Sequence, residues 1–233
     1  MKRFLLHTLL FLYFLFCGGC CDASGISWTS LPPLPNTPAT FHNLKAQARD
    51  INPRVLYLAL NAYNRARKEG YDMREMLTVI DFTKPSYQRR FWVFDLRENR
   101  LLFDDYVAHG KNSGDVVATH FSNEPESLES SIGVYATGDA YYGQLGYALH
   151  LKGLEPGFNN NAYERAIVMH GAWYVTPQFI HAHGRTGHSW GCPALNPEIV
   201  RPVIDSIEHG TIVFAYYPQH AWLRSSRFLN AYG

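Results

Sequence analysis

Residues 166–195 read AIVMHGAWYVTPQFIHAHGRTGHSWGCPAL. The run from Ala166 to Met169 has the apolar pattern of a short buried strand, and it ends on His170-Gly171. Thr176-Pro177 supplies a capping hydroxyl and a proline at the first helical position, which predicts a short helix over 176–183. The stretch closes on Ser189-Trp190-Gly191-Cys192-Pro193. A cysteine between Gly and Pro does not belong to a regular strand or helix, because glycine lets a backbone or ligand approach closely and proline fixes the next turn. Free cysteines commonly serve as small core hydrophobes. Here the neighbours are Gly, Pro, Ser and several histidines, and an imidazole that takes the thiol proton would make Cys192 a nucleophile.

Working outward, the pattern is mainly that of strands. Residues 77–82 and 91–96 are rich in β-branched and aromatic side chains. Glu98-Asn99 makes a turn and 101–108 returns as a hairpin, and 132–137, 147–151, 166–169 and 211–217 read as further strands. Asn52-Pro53 opens a helix carrying Val55, Ala59, Ala62, Tyr63 and Ala66 on one side and stopping at Gly70. Asn196-Pro197 opens another that runs to about His209 before Gly210. The expected fold is mainly β with a few helices, one β-sandwich-like domain over 46–220 followed by a C-terminal tail over 221–233. A chain of 233 residues with 46% hydrophobic and 18% charged content supports one sizeable core and excludes a disordered polymer. With a formal charge of +1 it has no electrostatic reason to seek nucleic acid.

The N-terminus reads differently. Lys2 and Arg3 precede an uncharged stretch from Phe4 to Cys21 that ends in small residues, the pattern of a secretory signal over 1–23. Gly18-Gly19-Cys20 resembles a lipoprotein processing site with Cys20 as the lipidated residue, although Cys17 stands where an aliphatic side chain is usual; ordinary cleavage near Ala23 is the competing reading. Residues 24–45 form a Pro/Ser/Thr-rich tether. Export to the periplasm or cell envelope is therefore expected, with membrane contact only through that N-terminal lipid. Beyond residue 21 only Cys192 remains, so the domain has no internal disulfide.

His170-Gly171 at a strand end, followed by Ser189-Trp190-Gly191-Cys192, resembles the signature of the YkuD-type L,D-transpeptidases. The blocks Val79-Ile80-Asp81-Phe82, 107–114 (VAHGKNSG), Ser130-Ser131-Ile132-Gly133 and 165–171 (RAIVMHG) are similar to the murein L,D-transpeptidase catalytic-domain branch of that family, so the resemblance spans residues 50–217. It implies that Cys192 attacks the bond between the diamino acid and D-Ala of a peptidoglycan stem peptide. His170 would be the base, its other ring nitrogen held by a backbone carbonyl, and N–H groups around Gly191 and Cys192 would face the oxyanion. Ser189 belongs to the same motif. An amine of a second stem would resolve the thioester into a 3→3 crosslink, or water would resolve it as a carboxypeptidase or endopeptidase does. No cofactor and no metal are implied, and the partner is the stem peptide.

The sequence departs from the family's common motif in having Trp190 where His is frequent, and Pro193-Ala194 where an Arg usually follows. Arg185 or Arg201 would then substitute for that Arg; Arg185 as a carboxylate contact competes with a plain surface role. His188 and Gly171 are further candidates at the substrate, as is Tyr147 among Tyr135, Tyr141 and Tyr142 on a Gly-rich stretch that reads as a flexible lid or as ordinary core and turns. His181-Ala182-His183 has the spacing of a zinc-chelating pair. The Asp that murein metallopeptidases place seven residues beyond an upstream His is missing, since Gly157, Pro177 and His188 stand there. A non-catalytic wall-binding lipoprotein is a further alternative, opposed by the presence of both Cys192 and His170.

Overall fold

The computed structural model describes residues 38–230. The signal segment with Cys20, and the tether up to residue 37, lie outside the described residues. Helix α1 (Pro38–Gln47) begins inside the stretch expected to be tether, buries Leu44, and ties down through the Gln47 side chain, which donates to Asn99 O at 2.9 Å and accepts from Leu101 N at 3.0 Å. Helix α2 (Pro53–Lys68) starts where Asn52 Oδ1 accepts from Arg54 N at 2.9 Å. Its buried face of Val55, Leu56, Ala59, Leu60, Tyr63 and Ala66 recurs at three- and four-residue spacing, so the helix lies along the sheet.

The strands are β1 (Met76–Asp81), β2 (Phe91–Asp95), β3 (Arg100–Asp105), β4 (Val107–Ala108), β5 (Gly133–Gly143), β6 (Gly146–Gly153), β7 (Val168–Gly171), β8 (Ala194–Leu195) and β9 (Ile212–Tyr216). They form one nine-stranded sheet in the order β3-β2-β1-β9-β5-β6-β7-β8-β4. The two edge strands, β3 and β4, are consecutive in the chain, and Arg90 at the head of β2 donates twice to Val107 O in β4 (3.0 and 2.8 Å). The sheet therefore curls into a near-barrel, within the mainly β, single-domain fold expected from the sequence. The expected strand over 101–108 breaks at Tyr106, where the chain leaves β2 and pairs instead with β8.

Of the two readings of the Gly-rich stretch, a flexible lid or ordinary core and turns, the structure shows the second: an antiparallel hairpin, β5–β6, with Tyr142 opposite Tyr147 and a bulge between Thr137 and Ala140. Gly146 takes φ of 78° to close its two-residue turn, which glycine does at little cost. The tail is also part of the domain: α5 (His220–Ser225) carries Trp222 into the core, and Phe228 follows it. Buried Glu155 holds this end by accepting from Trp222 Nε1 (2.9 Å), Val134 N (2.8 Å) and the Ser226 hydroxyl. Two aromatics six residues apart give no helical or strand period, which is why the sequence pattern passed over them.

The remaining helices are α3 (Pro177–His183), capped by Thr176 Oγ1 on Phe179 N at 3.2 Å, and α4 (Pro197–Ile207), capped by Asn196. Helix α4 packs on β7, where a Cβ at Gly171 would come within 3.0 Å of Val200 Cγ1.

Candidate active site

Strand β7 presents His170, and the parallel neighbour β8 sets His170 opposite Ala194, two residues beyond Cys192. The ring is 5% exposed. His170 Nδ1 lies 3.0 Å from Gly171 O, and a carbonyl can only accept, so Nδ1 carries the proton and Nε2 keeps the lone pair. Burial pushes the imidazole below its ordinary range, and the Gly171 bond only partly opposes this. The ring is neutral at pH 7.

Cys192 is 7% exposed. Its thiol donates to Ala166 O at 3.7 Å and accepts from Val168 N at 3.4 Å. Burial pushes the thiol pKa up, against the downward pull of the Val168 N–H and the Arg165 cation. The resting pair is thus thiol and imidazole, each bonded to backbone; no hydrogen bond joins the two side chains among the described residues. Ala166 lies in the left-handed region (φ 52°), where a Cβ is crowded, so the carbonyl that holds the thiol is itself in a strained residue.

The turn bearing Cys192 is held by a hydrogen-bonded cradle. Ser189 Oγ donates to Cys192 O at 2.6 Å and accepts from Gly191 N at 3.2 Å. Ser130 Oγ donates to Gly191 O and accepts from Gly110 N, both at 3.0 Å, while Ser113 Oγ accepts from Ser130 N at 2.8 Å. Ser189 N donates to His109 O at 3.0 Å and Lys111 N to Ser189 O at 2.8 Å. The blocks 107–114 and 130–131 acquire here the role the sequence could not supply. Gly191 has φ of 122°, and a Cβ there would meet Glu129 O at 2.8 Å and Ile167 Cδ1 at 2.9 Å, so no other residue fits. The Gly191 N–H, expected to face an oxyanion, is engaged by Ser189 Oγ in this state.

Sequence reasoning gave no role to Arg165, the cation whose charge acts on the thiol. Arg165 donates to Ser122 O (2.7 Å), Glu129 O (2.7 Å), Ser131 Oγ (2.5 Å) and Ser127 Oγ (3.0 Å), and no carboxylate forms an ion pair with it among the described residues. Its position directly before the 166–169 run was a signal, but an arginine at a strand entrance is ordinarily solvated. Tyr174 lies within electrostatic reach of Cys192 as well; its phenol is pushed up to about 12, by burial first and the cysteine second.

The other candidates fall elsewhere. Arg185 pairs with Asp115 at 2.8 Å and donates to Thr186 O, and His188 donates through Nε2 to Asp115 O at 2.9 Å. Together they clip the loop before Ser189 to the 110–118 loop, with the His188 ring 5.2 Å from that of His109. Trp190 is 79% exposed beside the thiol turn. Tyr147 is on the sheet face opposite His170, because Ala148, not Tyr147, is the β6 partner of His170 and neighbours along a strand alternate sides. Its hydroxyl donates to Asp205 in α4 at 2.6 Å, and Arg201 of α4 covers its ring at 4.5 Å. His183 stacks on Phe179, and His181 is exposed on α3. Among the described residues no three His, Cys, Asp or Glu side chains converge as metal ligands.

A search of curated protein sequences finds no match. Solved structures that the chain matches include an L,D-transpeptidase from Mycobacterium smegmatis (14% identity, TM-score 0.37, covering 61% of this chain and 59% of that one). Another is an L,D-transpeptidase from Stackebrandtia nassauensis (10% identity, TM-score 0.38, 76% of each chain). The present chain thus spans less than two thirds of the mycobacterial protein it matches. Residues 47–216 match the family described as the L,D-transpeptidase catalytic domain, a span that takes in the His170 strand, the cradle and the Cys192 turn. The chain belongs to the L,D-transpeptidase catalytic-domain family.

Proposed function

We propose that this protein is a murein L,D-transpeptidase in which Cys192 is the nucleophile and His170 the base. The observation that carries the reading is the fixed tautomer of His170: Gly171 O holds Nδ1–H, leaving a basic Nε2 on the strand beside the Cys192 turn. Rotation about χ1 would release the thiol from Ala166 O. The sulfur then attacks the carbonyl carbon between the diamino acid and D-Ala of a stem peptide, and its proton passes to Nε2. The amide C–N bond breaks, the same proton leaves on the amine of D-Ala, and a thioester remains on Cys192. A second stem's amine attacks the thioester, giving a 3→3 crosslink and returning the proton to sulfur. Water in place of the amine makes the chain a carboxypeptidase. An oxyanion hole using Gly191 N–H would require that bond to turn away from Ser189 Oγ. The cleaved peptide bond supplies the driving energy, which suits an enzyme exported to the cell envelope by its N-terminal signal.

The test is incubation with a disaccharide tetrapeptide followed by mass spectrometry. A dimer linked 3→3 is expected, and a tripeptide alone would mean carboxypeptidase. Absence of any product from protein with an intact thiol, or full activity in Cys192→Ala, overturns the reading.

A further inference from the structure

Tyr174 has no part in the chemistry above, although the fold sets it beside both reacting groups. His170 in β7 and Ala108 in β4 each stand opposite Ala194 of β8, on either side of it. Side chains directly opposite one another leave a sheet on the same face, so His170, Ala194 and Ala108 share one. The neighbouring positions Val107 and Leu195 belong to the main core on the other face. Ala108 and Ala194 join Ala172 and Val175 in a small separate apolar cluster, and Tyr174 packs on it. The phenol therefore sits on the His170 side of the sheet, next to the strand that follows the Cys192 turn.

Two contacts fix the ring there. A Cβ at Gly187 would come within 2.6, 2.7 and 2.8 Å of Tyr174 Cβ, Cγ and Cδ2, so the side chain lies directly on the Gly187 backbone. Gly187 N donates to Tyr174 O at 2.8 Å, and the Trp173 ring stands edge-on to the phenol at 5.8 Å. The hydroxyl, by contrast, is unspent. It forms no hydrogen bond among the described residues and is not sealed from solvent. Burial first, and Cys192 second, hold the phenol protonated well above neutral pH, so it stays a donor.

Attack of Cys192 Sγ on the scissile carbonyl forms the S–C bond and moves the C=O electron pair onto oxygen. That oxyanion needs fixed donors at about 3 Å. Gly191 N–H is bonded to Ser189 Oγ, whereas Cys192 N–H forms no hydrogen bond among the described residues. One backbone donor is thus free at the thiol, and a second is left to a side chain. We propose that Tyr174 is a further catalytic residue, whose hydroxyl donates a hydrogen bond to this oxyanion alongside Cys192 N–H. The phenol keeps its proton throughout; the oxyanion's pair re-forms C=O and the C–N bond breaks as before. This role rests on the transpeptidase reading for its scissile amide.

Tyr174→Phe keeps the ring on Gly187 and removes only an unbonded hydroxyl, so the fold should survive, which far-UV circular dichroism would check. With the disaccharide tetrapeptide and the full chain, kcat should fall about 10²-fold while KM stays within about twofold. Alkylation of Cys192 by iodoacetamide, a displacement at saturated carbon that forms no oxyanion, should keep the wild-type rate. Unchanged kcat, a loss confined to KM, or an equal slowing of alkylation overturns the role of Tyr174 and leaves the transpeptidase reading intact. If the wild type turns over no tetrapeptide, the transpeptidase reading fails, and acetylation of Cys192 by 4-nitrophenyl acetate decides. There too sulfur attacks a carbonyl carbon, and nitrophenolate leaves. A nitrophenolate burst that is lost in Cys192→Ala and slows about 10²-fold in Tyr174→Phe supports the role. An equal burst in Tyr174→Phe, or none in the wild type, overturns it.

Discussion

Two arginines, Arg67 buried and Arg165 half-buried, divide the molecule by purpose. Arg67, on α2, is 5% exposed and bonded to Glu75 at 2.6 Å, with Tyr63 and Asp72 completing a closed polar cluster and Arg97 reaching Glu75 at 3.1 Å. Arg165 is held as firmly, by four oxygens, but those oxygens are carbonyls and hydroxyls and carry no formal charge. The first cation is spent on its own carboxylate and locks a helix to the sheet. The second retains its field, and the Cys192 thiol lies in it. A neutralised ion pair contributes geometry, whereas a cation solvated by neutral dipoles still acts on a neighbour's ionisation.

The largest effect expected on that division is one of stability. Arg67→Gln leaves Glu75 without its buried partner and should cost about 3–5 kcal/mol in denaturant unfolding, while kcat/KM of the folded protein stays at the wild-type value. An equal loss of activity per folded molecule would show that the two regions are not separate. Next, Arg165→Gln should raise the pH midpoint for alkylation of Cys192, followed on the Cys192 peptide by mass spectrometry. It should also lower kcat/KM by about 10²-fold, with partial recovery in Arg165→Lys, which restores the charge without the fork. An unmoved midpoint would reduce Arg165 to a loop clamp.

A third effect concerns His109, fully buried, whose Nδ1 accepts from Arg90 at 2.7 Å and whose Nε2–H donates to Gly114 O at 3.1 Å. Burial, with help from the Arg90 charge, lowers its pKa to about 3. Between that value and the ordinary 6.5 the unfolded chain binds a proton that the native state does not, so stability rises with pH across this window and is lost on acidification. The slope from this one residue is up to about 1.4 kcal/mol per pH unit. His109→Gln, which can still accept from Arg90 and donate to Gly114, should flatten the acid limb of the stability curve; an unchanged limb would assign acid sensitivity elsewhere. The smallest effect is expected at Ala166. Ala166→Gly relieves the left-handed strain and should raise stability by no more than about 1 kcal/mol, but loosens the carbonyl that parks the thiol. Thermal unfolding and the alkylation rate of Cys192 would separate the two consequences.

Much of the fold was legible because its elements announce themselves locally. Asn52-Pro53, Thr176-Pro177 and Asn196-Pro197 each open a helix where cap chemistry says they should, and the turn at Asn99, with φ of 49°, lies where the hairpin was expected. The β5–β6 stretch left a flexible lid and ordinary strands and turns both open in the sequence because glycines weaken strand propensity; pairing against β9 and β7 makes those residues regular. Tyr147 was grouped with the site for its proximity in sequence to the glycines, and a one-residue alternation along β6 moved it to the other face. Arg185 and His188 were read for their charge and basicity, but Asp115, seventy residues away in sequence, engages both.

The proposal of Cys192 and His170 as the reacting groups rests on local chemistry: one thiol between Gly and Pro, one imidazole at a strand end, and a family pattern that joins them. Closure of the sheet, and the assembly of Ser113, Ser130 and Ser189 around the thiol turn, depended on contacts between residues 17 to 61 positions apart, which carry no periodic trace in the chain. The same is true of the protonation state. Whether Cys192 and His170 rest as an ion pair or as neutral groups depends on how deeply each is buried and which backbone atoms reach it, and only the folded barrel sets those terms.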